Sequence, residues 1–300
     1  MKRCIGVIGL GRMGLPISEN LLDRGFAVVG YQRHPSAELV ALGGAMAESP
    51  ADLAARADVV LSILPGLDAL REVIGGPSGT LKALRPGTVH IEMSTTDVAG
   101  KAALRELVRA VGGELLDAPI SGSPGMVRPR LATTFASGAE AAVDDVADVL
   151  DAISGPWVRA GEFGCGAHFK YVANLLLAVH TVAAAEAMAL ARSAGLDLEV
   201  VQRTLNESIG GSMAWKRFGP RMRQREWLPA PGPIETLHAI LEQIQPYARD
   251  VGVLTPTLDS AKRLFDEAVA NGRGHLDVSS VYDQVLSADV PADDLTRASR

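Results

Sequence analysis

The stretch Arg3–Gly25, RCIGVIGLGRMGLPISENLLDRG, constrains this chain more than any other. Ile5, Val7 and Ile8 form a short apolar run, as in a parallel strand buried on both faces. Gly9, Gly11 and Gly14 follow at G-x-G-x-x-G spacing, with Leu10, Arg12 and Met13 between them. Met13, Ile17, Leu21 and Leu22 then recur with a helical period, Pro16 sits in the first turn and Gly25 ends the run. Gly9 permits a tight turn, Gly11 leaves the backbone open to a pyrophosphate, and Gly14 lets the helix pack close to the sheet. The helix N-terminus adds free N–H groups and a positive dipole end. Strand, glycines and helix in this order predict a dinucleotide-binding unit.

Strand and helix patterns alternate through the following 130 residues or so. Strands are expected at Phe26–Tyr31, Asp58–Leu64, Val89–Met93, Glu114–Ala118, Leu131–Ala136 and Trp157–Ala160. Helices are expected at Pro35–Leu42, from Ser49-Pro50, from Asp97 to about Val111, and over Ala139–Ile153. This alternation predicts an α/β, doubly wound, mostly parallel sheet. The pattern changes at Gly161. A long apolar helix is expected from about His168 to Ser193, followed by helices at Leu198–Asn206, Ser212–Met222, Ile234–Asp250 (kinked at Pro246) and Thr255–Asn271. A frayed polar tail is expected from Asp289.

Several residues could carry chemistry. A nicotinamide enzyme needs a proton donor or acceptor beside the carbon that exchanges hydride. Lys170 is the candidate, with Asn174 one turn later on the same side of the helix. Burial next to Phe169, Tyr171 and Val172 would lower its pKa; otherwise it is a solvated lysine at a helix start. Ser121, Gly122 and Ser123 offer hydroxyl and backbone donors for a carboxylate, or form a plain turn. Arg128 and Arg130 are surface charges or contacts for a larger acidic substrate. After the second strand come Gln32, Arg33 and His34, where an NAD site has an acid for the ribose hydroxyls. The missing acid and the arginine favour NADP, with NAD possible.

The net charge of −6 and the lack of a basic run with interleaved aromatics argue against nucleic acid. His168 and His180 lie twelve residues apart with no ligand set around them, so no metal is expected. Cys4 and Cys165 are too few for a disulfide framework. No apolar run reads as long and uninterrupted enough for a bilayer, and the first strand leaves no room for a signal peptide, so a soluble cytoplasmic protein without a membrane partner is expected.

Three segments together resemble the β-hydroxyacid dehydrogenases related to 3-hydroxyisobutyrate dehydrogenase. Gly9-Leu10-Gly11-Arg12-Met13-Gly14-Leu15-Pro16 is close to the family's GLGxMGxP. Asp117-Ala118-Pro119-Ile120-Ser121-Gly122-Ser123 is similar to its DAPVSGG loop. Gly164-Cys165-Gly166 with Lys170 and Asn174 looks like its GxGxxxKxxxN segment. Leu64-Pro65 and Met93-Ser94-Thr95 also match, and the likeness runs to about residue 205. The resemblance implies a Rossmann domain over residues 1–162 and an all-helical domain over 163–300, joined through the long helix and forming a homodimer or homotetramer. It implies Lys170 as general acid–base, Asn174 as its positioning partner, Ser121, Gly122 and Ser123 as substrate holders, and Thr95 near the nicotinamide. The substrate implied is a small β-hydroxy acid or its semialdehyde or keto acid. An imine reductase on a similar scaffold typically lacks the lysine, and a dinucleotide-sensing binding protein would tolerate its loss. Three departures stand out. Ser123 replaces a glycine, Val127–Arg130 replace small residues and a glycine, and Ala239-Ile240-Leu241 replace a Lys-Asp-Leu motif.

Overall fold

The computed structural model describes residues 3–286; the expectation for the tail from Asp289 lies outside them. The chain divides into two compact units, one ending at Val172 and the other beginning at Ala173.

The first unit is built on one sheet. Its strands are β1 Cys4–Ile8, β2 Ala27–Tyr31, β3 Ala45–Met46, β4 Val59–Ser62, β5 Val89–Glu92, β6 Glu114–Asp117, β7 Ile120–Ser121, β8 Thr133–Ser137 and β9 Trp157–Gly161. Their order is β3-β2-β1-β4-β5-β6-β8-β7, with β9 against β8. The pairs from β3 to β6 are parallel, as is β8 with β9, whereas β8 runs antiparallel to β6 and β7. The helices are α1 Gly14–Asp23, α2 Ala37–Ala41, α3 Pro50–Arg56, α4 Leu67–Gly75, α5 Val98–Ala110, α6 Pro124–Val127, α7 Glu140–Asp145, α8 Ala147–Ile153 and α9 Cys165–Ser193.

Successive strand residues point to opposite faces, and the core divides accordingly. Val59, Leu61 and Leu116 join a cluster with Ile17 and Leu21 of α1 and with Val149 and Leu150 of α8. Val60 and Leu115 join a second cluster with Leu53 of α3, Leu70 and Ile74 of α4, and Leu104 and Val108 of α5. A strand buried on both sides needs apolar residues at every position, which is why these segments lack polar alternation. Helix starts are fixed locally. Ser49 accepts from Asp52 N with Pro50 in the first turn, and Asp97 accepts from Gly100 N.

Four expectations need correcting. Leu67–Gly75 is a helix where no element is expected, with Leu70, Val73 and Ile74 buried at helical spacing. Ala139–Ile153 is two helices, because the backbone leaves the helical region at Val146. The long helix starts three residues early, at Cys165. It is also long and apolar enough to match a bilayer span, with mean hydropathy 1.5, contrary to the expectation that no such run exists. Core helices reach the same length and apolarity, and its first turn is bonded to the sheet, as described below.

The second unit is helical among the described residues. Beyond its share of α9 it contains α10 Leu198–Leu205, α11 Met213–Gln224, α12 Ile234–Asp250, α13 Pro256–Ala270 and α14 Tyr282–Val285. Asp197 and Ser212 cap α10 and α11. Pro246 lies within α12 as the sequence indicates. His238, Glu242 and Asp266 cluster within 4.8 Å of one another, but the Lys262 ammonium sits against both carboxylates, 2.6 Å from Asp266. That cluster already holds a cation.

Candidate active site

The strand register brings the expected residues to one edge of the sheet. Ile8 lies opposite Tyr31 and Ser62, Ser62 opposite Glu92, and Glu92 opposite Asp117. Four parallel strands therefore end level with β1. Gly9–Gly14 follow β1, Gln32–His34 follow β2, Leu64-Pro65 follow β4, and Thr95 follows β5. Ligands bind at this carboxyl edge in open α/β sheets.

The glycine turn does what its spacing indicates. Gly9 has φ +95° and donates from its N–H to Tyr31 O at 2.9 Å. A Cβ there would lie 2.3 Å from Ile63 O, and one on Gly14 would lie 1.8 Å from Gly9 O. A Cβ on Gly11 would meet nothing within 4 Å. The turn is thus closed on the protein side and open at Gly11, which fits a dinucleotide whose diphosphate must approach the backbone. Arg12 is exposed, Met13 half-buried and Leu10 buried. Gln32 is half-buried, while Arg33 and His34 are exposed and have no hydrogen-bond or ion-pair partner among the described residues.

Neighbouring turns are bonded to one another. Leu64 N donates to Ser94 Oγ at 2.8 Å, and Ser94 N donates to Glu92 Oε1 at 2.8 Å, which fixes the residue before Thr95. After β6 ends at Asp117, Ser121 ends the short strand β7, and Gly122 and Ser123 lead from it into α6. Ser121 and Ser123 are half-buried and Gly122 is exposed. A Cβ on Gly122 would lie 2.8 Å from the Ala132 Cβ, so no larger residue fits there without movement.

Arg128 and Arg130 are not free to meet an anion. Arg128 reaches Asn20 Oδ1 at 2.8 Å, Asp23 at 2.7 Å and Glu19 at 2.9 Å, all on α1. Arg130 donates to the backbone carbonyls of Asp151 and Ser154. Both tie the chain after Ser121–Ser123 to helices of the first unit.

Lys170 lies in the second turn of α9 and is 8% exposed. It makes no hydrogen bond or ion pair among the described residues. Burial without a counter-charge lowers its pKa from 10.5 to about 8. Phe169, its neighbour, stacks on Phe135 at 5.5 Å between ring centroids. Asn174, one helical turn further, is buried, and its Nδ2 has no partner.

Sequence reasoning missed a buried polar network beneath the β4–β6 ends. Lys101 Nζ donates to Asp117 Oδ1 at 2.8 Å and to Ser94 O at 2.5 Å, and stands 3.7 Å from Glu92. Ser62 Oγ donates to Glu92 Oε2 and lies 2.9 Å from His90 Nε2. Complete burial pushes the His90 pKa down to about 3, so the ring is neutral. The available signal was spacing. Lys101 shares the buried face of α5 with Leu104 and Val108, where a lysine needs a partner.

Both units are similar to known dehydrogenases. Residues 4–164 match the NAD binding domain of 6-phosphogluconate dehydrogenase, and residues 164–285 match the NAD-binding of NADP-dependent 3-hydroxyisobutyrate dehydrogenase. The L-threonate dehydrogenase of Cupriavidus necator is 32% identical over 94% of this chain and 95% of its own. The structure of a 3-hydroxyisobutyrate dehydrogenase from Salmonella typhimurium superposes with a TM-score of 0.86 at 27% identity, covering 94% of this chain and all of that one. An imine reductase from Myxococcus stipitatus shares the fold, with a TM-score of 0.65 at 20% identity over 96% of this chain and all of that one. A Rossmann sheet open at its glycine turn, joined to a helical unit that matches a dehydrogenase family, defines an NAD(P)-dependent dehydrogenase acting on hydroxyl groups. The chain belongs to the β-hydroxyacid dehydrogenase family.

Proposed function

We propose that this enzyme interconverts a small β-hydroxy acid and its semialdehyde or keto acid, with NADP preferred and Lys170 as the proton-transfer group. The observation that carries the reading is Lys170 itself, a lysine buried with no counter-charge among the described residues and a pKa of about 8. The bound nicotinamide dinucleotide supplies hydride acceptance or donation at the substrate carbon. The neutral Lys170 Nζ takes the proton from the substrate hydroxyl in oxidation, and its ammonium returns it to the carbonyl oxygen in reduction. Asn174, with an unpartnered Nδ2 on the same helix, orients the oxygen that exchanges this proton. Ser121 and Ser123 hydroxyls and the Gly122 backbone hold the substrate carboxylate.

Gly9, Leu10, Gly11, Arg12, Met13 and Gly14 would hold the diphosphate, and Leu64, Pro65 and Thr95 would line the nicotinamide end. Arg33, with Gln32 and His34 beside it, would take the 2′-phosphate; the lack of any internal partner for Arg33 supports this. A second copy of the chain is expected to cover α9, which leaves Leu176 46% and Leu190 73% exposed four turns apart on one face. Absorbance at the nicotinamide band, with L-threonate, 3-hydroxyisobutyrate, small semialdehydes, keto acids and cyclic imines, tests the reaction. Turnover of the imines alone would replace this reading with an imine reductase.

A further inference from the structure

The first turn of α9 is not capped by its own sequence. Gly166 N donates to Ser137 Oγ at 3.0 Å and Ala167 N donates to Asp117 Oδ2 at 2.8 Å. Both acceptors come from strand ends, which face each other in the β6–β8 pair. Ser137 Oγ in turn donates to Asp117 O at 2.8 Å. The helix is pressed onto this support without slack: a Cβ on Gly166 would lie 2.4 Å from Phe135 O and 2.7 Å from Asp117 O. Lys170 stands one turn beyond Ala167.

The other oxygen of the Asp117 carboxylate takes a hydrogen bond from Lys101 Nζ. Lys101, Asp117 and Glu92 are all fully buried. A carboxylate in such a place needs an opposite charge, and this ammonium supplies it. The same ammonium donates to Ser94 O, at the root of the turn that carries Thr95. Asp117 is the root of the segment that carries Ser121, Gly122 and Ser123. One side chain therefore joins the roots of two loops to the start of the α9 helix.

We propose that Lys101 is a positioning residue for the reaction: through Asp117 it sets the seat of the first turn of α9, and so the placement of the Lys170 amine. The inference rests on the reading of Lys170 as the proton-transfer group. A buried ion pair by itself is no better for stability than well-packed apolar residues. What this one adds is direction, since its bonds end on backbone atoms of the elements that carry the site. A displacement of about 1 Å at such a seat can cost roughly a hundredfold in rate.

The test uses Lys101→Met and the triple variant Lys101→Met/Asp117→Leu/Glu92→Gln, which removes all three buried charges of this network, so that a folded protein is available even if the single variant fails. Steady-state kinetics with NADP+ and the best substrate of the hydroxy-acid panel, NADP+ binding, and the pH profile of kcat are measured beside Lys170→Ala. The expected result is a kcat about 10- to 100-fold lower, as a displaced seat implies, with KM and NADP+ affinity within about threefold. The midpoint of the kcat profile should rise as the shifted helix start exposes Lys170. A folded variant with wild-type kcat and midpoint would overturn the proposal, as would a kcat loss with an unmoved midpoint. If Lys170→Ala keeps wild-type turnover, the reading of Lys170 fails instead, whatever the Lys101 variants do.

Discussion

Two lysines are buried in the sheet unit, and their surroundings differ in one respect. Lys101 has Asp117 at 2.8 Å and Glu92 at 3.7 Å, whereas Lys170 has neither an ion pair nor a hydrogen bond among the described residues. The first arrangement holds a charge in place and makes a brace of it. The second penalises the charge and makes a proton easy to remove near neutral pH. Burial alone thus fixes neither role; the counter-charge does.

Activity gives the largest contrast. Lys170→Ala should lower kcat by roughly 10²–10⁴-fold while leaving NADP+ affinity nearly unchanged, because the lost group moves protons and does not bind the dinucleotide. Lys170→Arg should fail as well, since arginine keeps its proton at any working pH. Near wild-type turnover in either variant would remove lysine from the mechanism and break the comparison on its catalytic side.

Stability should separate the two lysines by sign. Lys101→Met leaves a buried carboxylate unpaired and should cost about 3–5 kcal/mol. Lys170→Met removes a charge that the fold disfavours and should raise stability at pH 7. A pKa of about 8 against the ordinary 10.5 corresponds to about 3 kcal/mol, at about 1.4 kcal/mol per unit. Because the folded-state pKa is the lower one, the wild-type penalty is constant below about pH 8. It is relieved as the pH rises from there toward 10.5. Urea midpoints for both variants at pH 7, and for Lys170→Met again at pH 10, would show it. Destabilisation by Lys170→Met at pH 7 would mean that its ammonium has a favourable partner after all.

A third cation sharpens the comparison from the solvent side. Arg33 is exposed and without a partner among the described residues, so its removal should affect only a ligand. One charge-assisted contact contributes about 1.5–3 kcal/mol, so Arg33→Ala should raise KM for NADP about ten- to a hundredfold and leave KM for NAD almost unchanged. Equal losses with both coenzymes, or a wild-type preference for NAD, would show that the turn after β2 does not read the 2′-phosphate. The smallest effect belongs to Arg128. Its ion pairs to Glu19 and Asp23 are solvent-exposed, and Arg128→Ala should cost no more than about 1 kcal/mol by thermal melting. A KM for the acidic substrate that rose tenfold in this variant would place Arg128 at the binding site.

What could be read in the sequence divides along the same line. The β1–α1 turn was legible because strand, glycines and helix start lie within about a dozen residues and each glycine answers a backbone requirement. The helix caps at Ser49, Asp97 and Ser212 were legible for the same local reason. The seat of α9 was not, because Asp117 and Ser137 lie 50 and 29 residues before the amides they accept from. Lys101 looked like any lysine on an amphipathic helix until α5 was laid over β6. Arg128 and Arg130 could be read as surface charges or as anion contacts, because nothing nearby in sequence shows that α1 and the α8 end hold them.

The buried trio beside that brace has one more consequence. Ser62, His90 and Glu92 bring a hydroxyl, an imidazole and a carboxylate into contact, the composition of a hydrolase charge relay. All three are sealed inside the sheet, and the imidazole stays neutral to about pH 3. The order differs from that of a relay, since Ser62 Oγ lies between the imidazole and the carboxylate and His90 Nδ1 has no partner among the described residues, so a fluorophosphonate that labels serine hydrolases should leave Ser62 unmodified.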